Sequence, residues 1–123
     1  LQRRQRPFLN RVRVIIIDDH EPILGLLRRL LERSGYDVAT FEASEEGLAS
    51  ISPGKFKVMI VDKNMPVHGY QVIREARAID AQIKVILMTA FPEEADDEVR
   101  PDGLILKPFV LSDILKAISS VSN

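Results

Sequence analysis

The chain has 123 residues, of which 46% are hydrophobic and 28% are charged, the composition of one globular domain with a modest core. It has no cysteine, which excludes a disulfide framework and a thiolate metal site, and no apolar run approaches the roughly 18 residues of a membrane-spanning helix. It shows no signal-peptide pattern either, so we expect a cytoplasmic protein without membrane contact.

The net charge of −1 hides a basic amino-terminal segment, because the first 13 residues contain five arginines and no acid. Such an arm can bind nucleic acid, but this one has a single aromatic residue, Phe8, and no helical periodicity. We therefore interpret residues 1–11 as a linker or solvated tail and expect no direct nucleic-acid binding. The domain itself is predicted to span residues 12–123.

Short apolar runs rich in β-branched residues alternate with helical patterns along this domain. In chain order, strands are predicted over residues 12–17, 36–41, 58–62, 85–88 and 104–106. The helical patterns cover residues 22–34, 44–52, 72–79, 92–100 and 114–121. The pattern over 92–100 is weak, since only Ala95 and Val99 are apolar within it.

Several residues mark the helix ends. Pro22 suits the first turn of a helix, where its missing N–H has no partner to lose, and Gly35 suits the position just after a helix. Ser44 is predicted to cap the second helix, with Glu45 and Glu46 favourable in its first turn. Five successive β–α pairs predict an α/β fold with one doubly wound parallel sheet and helices on both faces.

Polar side chains stand where four of the five predicted strands end. They are Asp18 and Asp19, Asp62, Thr89, and Lys107. Parallel strands direct their carboxyl ends to one edge of the sheet, so these groups should converge. Three neighbouring carboxylates repel one another unless a cation joins them, and oxygen ligands without His or Cys suit Mg²⁺. With a lysine and a hydroxyl added, these are the parts needed to accept a phosphoryl group on a carboxylate.

The motifs at these strand ends resemble those of a known family. They are Asp18-Asp19, Asp62-x-x-Met65-Pro66, Thr89-Ala90 and Lys107-Pro108-Phe109. Together and in this order they resemble the receiver domain of bacterial two-component response regulators, over about residues 12–121. The resemblance implies a flavodoxin-like sheet with strand order 2-1-3-4-5. It also implies that Asp62 accepts a phosphoryl group from a histidine kinase or phosphotransfer domain, and so regulates a partner or an effector linked outside this chain.

The same resemblance assigns roles to individual residues. It implies that Asp19, Asp62 and the backbone carbonyl of Asn64 ligate Mg²⁺, while Asp18 acts through water. Thr89 and Lys107 would bind phosphoryl oxygens, and the bond between Lys107 and Pro108 would be cis. Self-phosphorylation and self-dephosphorylation are then the only chemistry expected, so the chain is not predicted to be an enzyme, and dimerisation stays open.

Alternative interpretations exist for single residues and for the whole chain. Taken alone, Asp18 could cap a helix, Thr89 could fill a strand, and Lys107 could be a solvated strand end. His20 and His68 are predicted to be exposed loop residues and not ligands. A phosphatase with an aspartate nucleophile would need a second acid two residues further on, where Asn64 stands. An interaction module that is never phosphorylated is the third function class.

The sequence departs from the family pattern at three places. Only Val67 and His68 separate Met-Pro from the next glycine, and the segment between Thr89 and Lys107 is about one helical turn short. Leu104 occupies a position where the family often has Tyr or Phe, and we expect this smaller side chain to stay buried.

Overall fold

A sheet of five parallel strands forms the centre of the computed structural model, which describes residues 11–92 and 99–122. The strands are β1 (Arg13–Ile17), β2 (Asp37–Phe41), β3 (Val58–Asp62), β4 (Lys84–Thr89) and β5 (Gly103–Leu106). Their order is β2-β1-β3-β4-β5, and every pairing is parallel. The predicted sheet and its order are confirmed.

Four helices accompany the strands in the described residues. They are α1 (Glu21–Arg33), α2 (Ser44–Ala49), α3 (Gly69–Ile79) and α4 (Leu111–Ser122). None of them is both long and apolar enough to cross a membrane. The weak helix predicted over 92–100 falls largely on residues 93–98, which lie outside the described part, as do residues 1–10 of the predicted basic segment.

Two apolar clusters cover the two faces of the sheet, as the alternation of side chains along each strand requires. On one face, Val58 and Ile60 of β3 pack with residues of α1 and α4. On the other face, Met59 and Val61 pack with residues of α3. All five residues of β3 are buried, so Asp62 ends a strand that the core surrounds on both sides.

The predicted helix ends are partly confirmed. Pro22 lies in the first turn of α1, and Gly35 follows the last turn with a φ of 96°, a left-handed conformation that glycine adopts without steric cost. Ser44 is not the cap of α2, because the helix opens at Ala43, whose carbonyl accepts from the Gly47 N–H. Ser44 is instead the first helical residue and is buried, so its hydroxyl does not occupy the capping position.

The expectation that Leu104 stays buried is wrong. Its side chain is 48% exposed, whereas Ile105 is buried against the cluster that includes α4. Because successive side chains of a strand point to opposite faces, Leu104 and Leu106 lie on the other face of the edge strand β5. The Lys107–Pro108 bond that follows β5 is cis, as the family resemblance implied.

The short loop after β3 brings α3 against the end of that strand. A Cβ on Gly69 would lie 2.8 Å from Lys63 Cα, 2.9 Å from the Asp62 carbonyl oxygen and 3.0 Å from Leu87 Cδ1. Two of these three neighbours are backbone atoms, which cannot rotate away. The Gly69 N–H also donates to the Lys63 carbonyl at 3.0 Å, so glycine permits a contact that fixes the loop.

We expect Gly69→Ala to destabilise the domain by about 1–3 kcal/mol, because the new methyl group overpacks against backbone. Gly25→Ala is the matched control, since a Cβ there meets only Glu21 Oε1 at 3.8 Å within α1. That variant should gain about 1 kcal/mol from helix propensity. Urea denaturation measures both, and equal stability changes in the two variants would contradict the steric account.

Candidate functional site

Three aspartates meet at the carboxyl ends of β1 and β3. Asp18 and Asp19 follow β1, and Asp62 is the last residue of β3, which pairs with β1 through Ile17 and Val61. One carboxylate oxygen from each aspartate lies within 4.8 Å of the other two. Asp18 and Asp62 are buried and Asp19 is exposed, so the cluster opens to solvent on one side. The predicted convergence of the acids is therefore present.

Asp18 is the most constrained of the three acids. Burial raises the pKa of its carboxyl, and the negative charges of Asp62 and Asp19 act in the same direction. The His20 N–H, which donates to Asp18 Oδ1 at 2.9 Å, and the charge of Lys107 lower this pKa. The residue that caps α1 is His20, so Asp18 forms a local turn and does not cap the helix.

Lys107 brings a positive charge to the acids from the edge of the sheet. It follows β5, and its N–H donates to the Thr89 carbonyl at 3.0 Å. Its Nζ donates to Asp62 Oδ1 at 2.6 Å. The Asp62 side chain is 7% exposed and that of Lys107 is 35% exposed, so this ion pair has a buried acid and a partly solvated base. Lys107 is thus more than a solvated strand end.

Thr89 at the end of a strand and Asn64 in a loop both lie near the acids. Thr89 ends β4 and is buried, and its Oγ1 accepts from the Phe91 N–H at 3.0 Å. In the pairing of β3 with β4, Asp62 lies opposite Met88, so Thr89 is the residue that directly follows the partner of Asp62. Asn64 is exposed, two residues beyond Asp62 in the loop that leads to α3.

The two histidines take no part in the acidic cluster. His20 is exposed at the start of α1. His68 is exposed too, but it caps α3, because its Nδ1 accepts from the Tyr70 N–H at 3.2 Å. Its ring also stacks on that of Tyr70, with 5.2 Å between the centroids. Both residues were predicted to be exposed in loops, but the capping role of His68 was not predicted, because histidine is not among the residue types that usually cap helices.

The donor set of the cluster fits a hard divalent cation. Within the described ranges, Asp18, Asp19 and Asp62 are the group of acidic or histidine side chains close enough together to hold a metal ion. All three offer carboxylate oxygens, which Mg²⁺ prefers, and there is no nitrogen or sulfur ligand that would favour a softer ion. A cation here would also relieve the repulsion among the three acids.

Lys63 is a buried residue of this region that the sequence analysis left without a role. It directly follows Asp62 and is 3% exposed. The sequence signal for it was the alternation of side chains, because Met59 and Val61 pack in the cluster that includes Tyr70, and Lys63 is the next residue in that alternation, with its Nζ 5.8 Å from the Tyr70 ring centroid. A lysine at the end of such a series must direct its ammonium group to a polar partner inside the fold.

Comparison with known proteins identifies the family. The family model of the response regulator receiver domain matches residues 14–119. The transcriptional regulatory protein PrrA of Mycobacterium tuberculosis is 32% identical over 115 residues, which are 89% of this chain and 49% of PrrA. The chain therefore belongs to the response regulator receiver domains, the signalling domains of two-component systems. It spans about half the length of the curated relatives it matches.

Solved structures agree with this assignment. The chemotaxis response regulator CheY4 of Vibrio cholerae superposes with a TM-score of 0.82 at 28% identity, over 91% of this chain and 99% of that one. The response regulator TrrA of Thermotoga maritima, solved in complex with Mg²⁺ and BeF, gives a TM-score of 0.76 at 27% identity, over 89% of this chain and 98% of TrrA. These likenesses confirm the flavodoxin-like fold.

The raised pKa of Asp18 predicts a pH-dependent stability in metal-free buffer. Since the folded state keeps this proton to a higher pH than the unfolded chain, stability falls as pH rises from the ordinary value of 3.8 through the raised folded value. Asp18→Asn can still accept from the His20 N–H but carries no charge. We therefore expect the variant to become progressively more stable than the wild type across this interval, as measured by urea denaturation at a series of pH values.

Asp113→Asn is the matched control for this experiment. Asp113 is exposed near the start of α4, where it accepts from the Val110 N–H at 3.0 Å, and asparagine can do the same. A stability difference between Asp18→Asn and the wild type that does not change with pH would show that the burial of Asp18 is not the cause.

Proposed function

We propose that this domain accepts a phosphoryl group on Asp62 from a phosphohistidine of a histidine kinase or phosphotransfer domain. The observation that carries this proposal is the position of the Asp62 carboxylate, which is buried, within 4.8 Å of two further carboxylates and 2.6 Å from the Lys107 ammonium. The altered surface of the phosphorylated domain would then regulate a partner or a linked effector.

In the transfer step, an oxygen of the Asp62 carboxylate forms a bond to phosphorus while the phosphorus–nitrogen bond of the phosphohistidine breaks. The histidine ring leaves with the electron pair of that bond and takes up a proton. Lys107, which is hydrogen-bonded to Asp62 Oδ1, would compensate the charge on the incoming phosphoryl oxygens. The Thr89 hydroxyl can donate to another of these oxygens, because it now only accepts, from the Phe91 N–H.

The metal-binding part of the proposal rests on the same cluster. Asp19, Asp62 and the backbone carbonyl of Asn64 would hold Mg²⁺, and Asp18 would act through water. A Mg²⁺ ion held by these ligands would neutralise negative charge on the phosphoryl oxygens and on the carboxylates. The mutual distances of the acids support this assignment, as does the Mg²⁺ and BeF complex of TrrA, whose receiver fold this chain shares.

The wider context of the domain is part of the proposal. PrrA is named a transcriptional regulatory protein, and this chain matches about half of it, so an effector linked outside residues 12–123 is one way to convert phosphorylation into output. Residues 1–11 would then be a linker or tail before the receiver domain. A cytoplasmic location fits a domain that receives its phosphoryl group from a kinase.

Incubation with acetyl phosphate and Mg²⁺, followed by mass spectrometry of the intact protein, tests the proposal. We expect the wild type to gain one phosphoryl group and Asp62→Asn to gain none, because an amide does not attack phosphorus here. Asp113→Asn should be labelled like the wild type. Equal labelling of Asp62→Asn would show that another residue is the acceptor. Release of phosphate without accumulation would instead indicate a phosphatase, and no reaction would indicate an interaction module.

Asp19→Ala and Lys107→Ala should separate metal binding from phosphoryl binding. Loss of Asp19 removes a proposed ligand, so Mg²⁺ affinity should fall by at least about 10-fold, whereas loss of Lys107 removes a repelling cation and should leave Mg²⁺ bound at least as well. Lys107→Ala should instead reduce the spectral change that follows phosphorylation. Titration of Mg²⁺ observed by NMR, repeated with acetyl phosphate, measures both effects. An unchanged metal affinity in Asp19→Ala would exclude this ligand assignment.

A further inference from the structure

Lys63 is a buried cation beside the acidic cluster for which the proposed reaction has no role. It is 3% exposed, and its Nζ lies 5.8 Å from the centroid of the Tyr70 ring. Among its contacts, the Nζ donates to the carbonyl oxygen of Phe91 at 3.4 Å. Removing an ammonium group from water is costly unless polar partners compensate, so its placement requires a structural or functional reason.

The backbone of Lys63 is fixed from two sides. Its N–H donates to the Met88 carbonyl of β4 at 3.0 Å, and its carbonyl accepts from the Gly69 N–H at the start of α3, also at 3.0 Å. The Cα of Lys63 is also the atom that a Cβ on Gly69 would approach to 2.8 Å. The side chain therefore starts from a rigid base, and the burial of the residue limits the positions that its ammonium group can take.

Phe91 connects Lys63 to Thr89. Its carbonyl accepts from Lys63 Nζ, and its N–H donates to Thr89 Oγ1 at 3.0 Å. The Phe91 side chain is 51% exposed, so apolar burial contributes little to holding this residue in place. Hydrogen bonds to its backbone therefore contribute more to holding Phe91 in place. Bonds from a charged donor are stronger than neutral bonds of the same geometry.

The bond from Phe91 also orients the Thr89 hydroxyl. A hydroxyl has one hydrogen to donate and two lone pairs that accept. Once one lone pair is occupied by the Phe91 N–H, the hydrogen of Thr89 is directed away from that bond and is available to another acceptor. In the proposed reaction, this acceptor is an oxygen of the phosphoryl group on Asp62.

We propose that Lys63 is a positioning residue of the phosphoryl-accepting site, which holds residues 89–91 through the Phe91 carbonyl and thereby keeps the Thr89 hydroxyl in its reactive orientation. This inference rests on the proposed function. Lys63 does not need to touch the phosphoryl group for this role. It acts through Phe91 and Thr89, and its effect must therefore depend on the Thr89 hydroxyl.

Lys63→Met is the variant that isolates the ammonium group. Methionine keeps an unbranched stem of similar length and can contact the Tyr70 ring favourably through sulfur, so the core should remain filled. The donor to the Phe91 carbonyl is lost. We expect phosphorylation by acetyl phosphate to slow by about 3- to 10-fold, the effect of one hydrogen bond of ordinary strength, with Mg²⁺ affinity at least as high as in the wild type, because a repelling cation is lost. Lys63→Arg, which retains N–H donors, should restore part of the rate.

A double-mutant cycle with Thr89→Ala decides whether Lys63 acts through the hydroxyl. Once the hydroxyl is gone, Lys63→Met should slow the reaction no further. Lys57→Met is the matched control, because Lys57 is exposed just before the start of β3, at the other end of that strand from Asp62. It should change the rate of phosphorylation neither in the wild type nor in Thr89→Ala. Equal slowing by Lys63→Met with and without the hydroxyl would overturn the proposed route.

The unphosphorylated protein provides a second readout that does not depend on phosphoryl transfer. In Lys63→Met, the amide proton of Phe91 should shift in the NMR spectrum and exchange with solvent faster than in the wild type, while Lys57→Met leaves it unchanged. An unchanged Phe91 amide would overturn the inference even if the wild type is phosphorylated. A wild type that accepts no phosphoryl group would overturn the proposed function and the coupling with it, and the Phe91 amide would still decide whether Lys63 holds this loop.

Discussion

The crowding of three carboxylates at one edge of the sheet is the constraint on which the rest of the site depends. At an effective dielectric constant of about 20, two like charges about 4 Å apart repel by about 4 kcal/mol. Lys107 offsets part of this repulsion, yet three carboxylates and one ammonium group together carry a charge of −2 when all are ionised. Burial raises the pKa of Asp18, and the charges of Asp62 and Asp19 add to this effect. The same excess of negative charge would favour the binding of a divalent cation by the cluster.

The sheet holds these charges together because its central strand is buried and paired on both sides. Every residue of β3 is buried, and the strand pairs with β1 on one side and β4 on the other, so Asp62 emerges from the most constrained strand of the fold. Gly69 then brings α3 against the end of this strand at distances that admit no side chain. Such a rigid support favours the proposed attack of Asp62 on phosphorus, because the carboxylate loses little orientational freedom in the reaction.

The sequence predicted most of this arrangement, since strands buried on both faces read as unbroken apolar runs and parallel strands must bring their carboxyl ends together. The errors have a common cause in tertiary context. Ser44 has the residue type of a helix cap but is buried inside the first turn of α2. Leu104 is apolar but lies on the outer face of the edge strand. The role of Lys63 depends on a contact across 28 residues, which a local pattern does not contain.

Two lysines border Asp62, and their partners give them different physical tasks. Lys107 binds a carboxylate and is partly solvated, so it compensates negative charge and, in the proposed reaction, would follow that charge to the phosphoryl group. Lys63 is buried, donates to the Phe91 carbonyl and lies beside the Tyr70 ring, and these two contacts offset part of the cost of its desolvation. In the proposed site, the lysine that follows β5 compensates the charge of Asp62, and the lysine that follows β3 positions residues 89–91 through the Phe91 carbonyl.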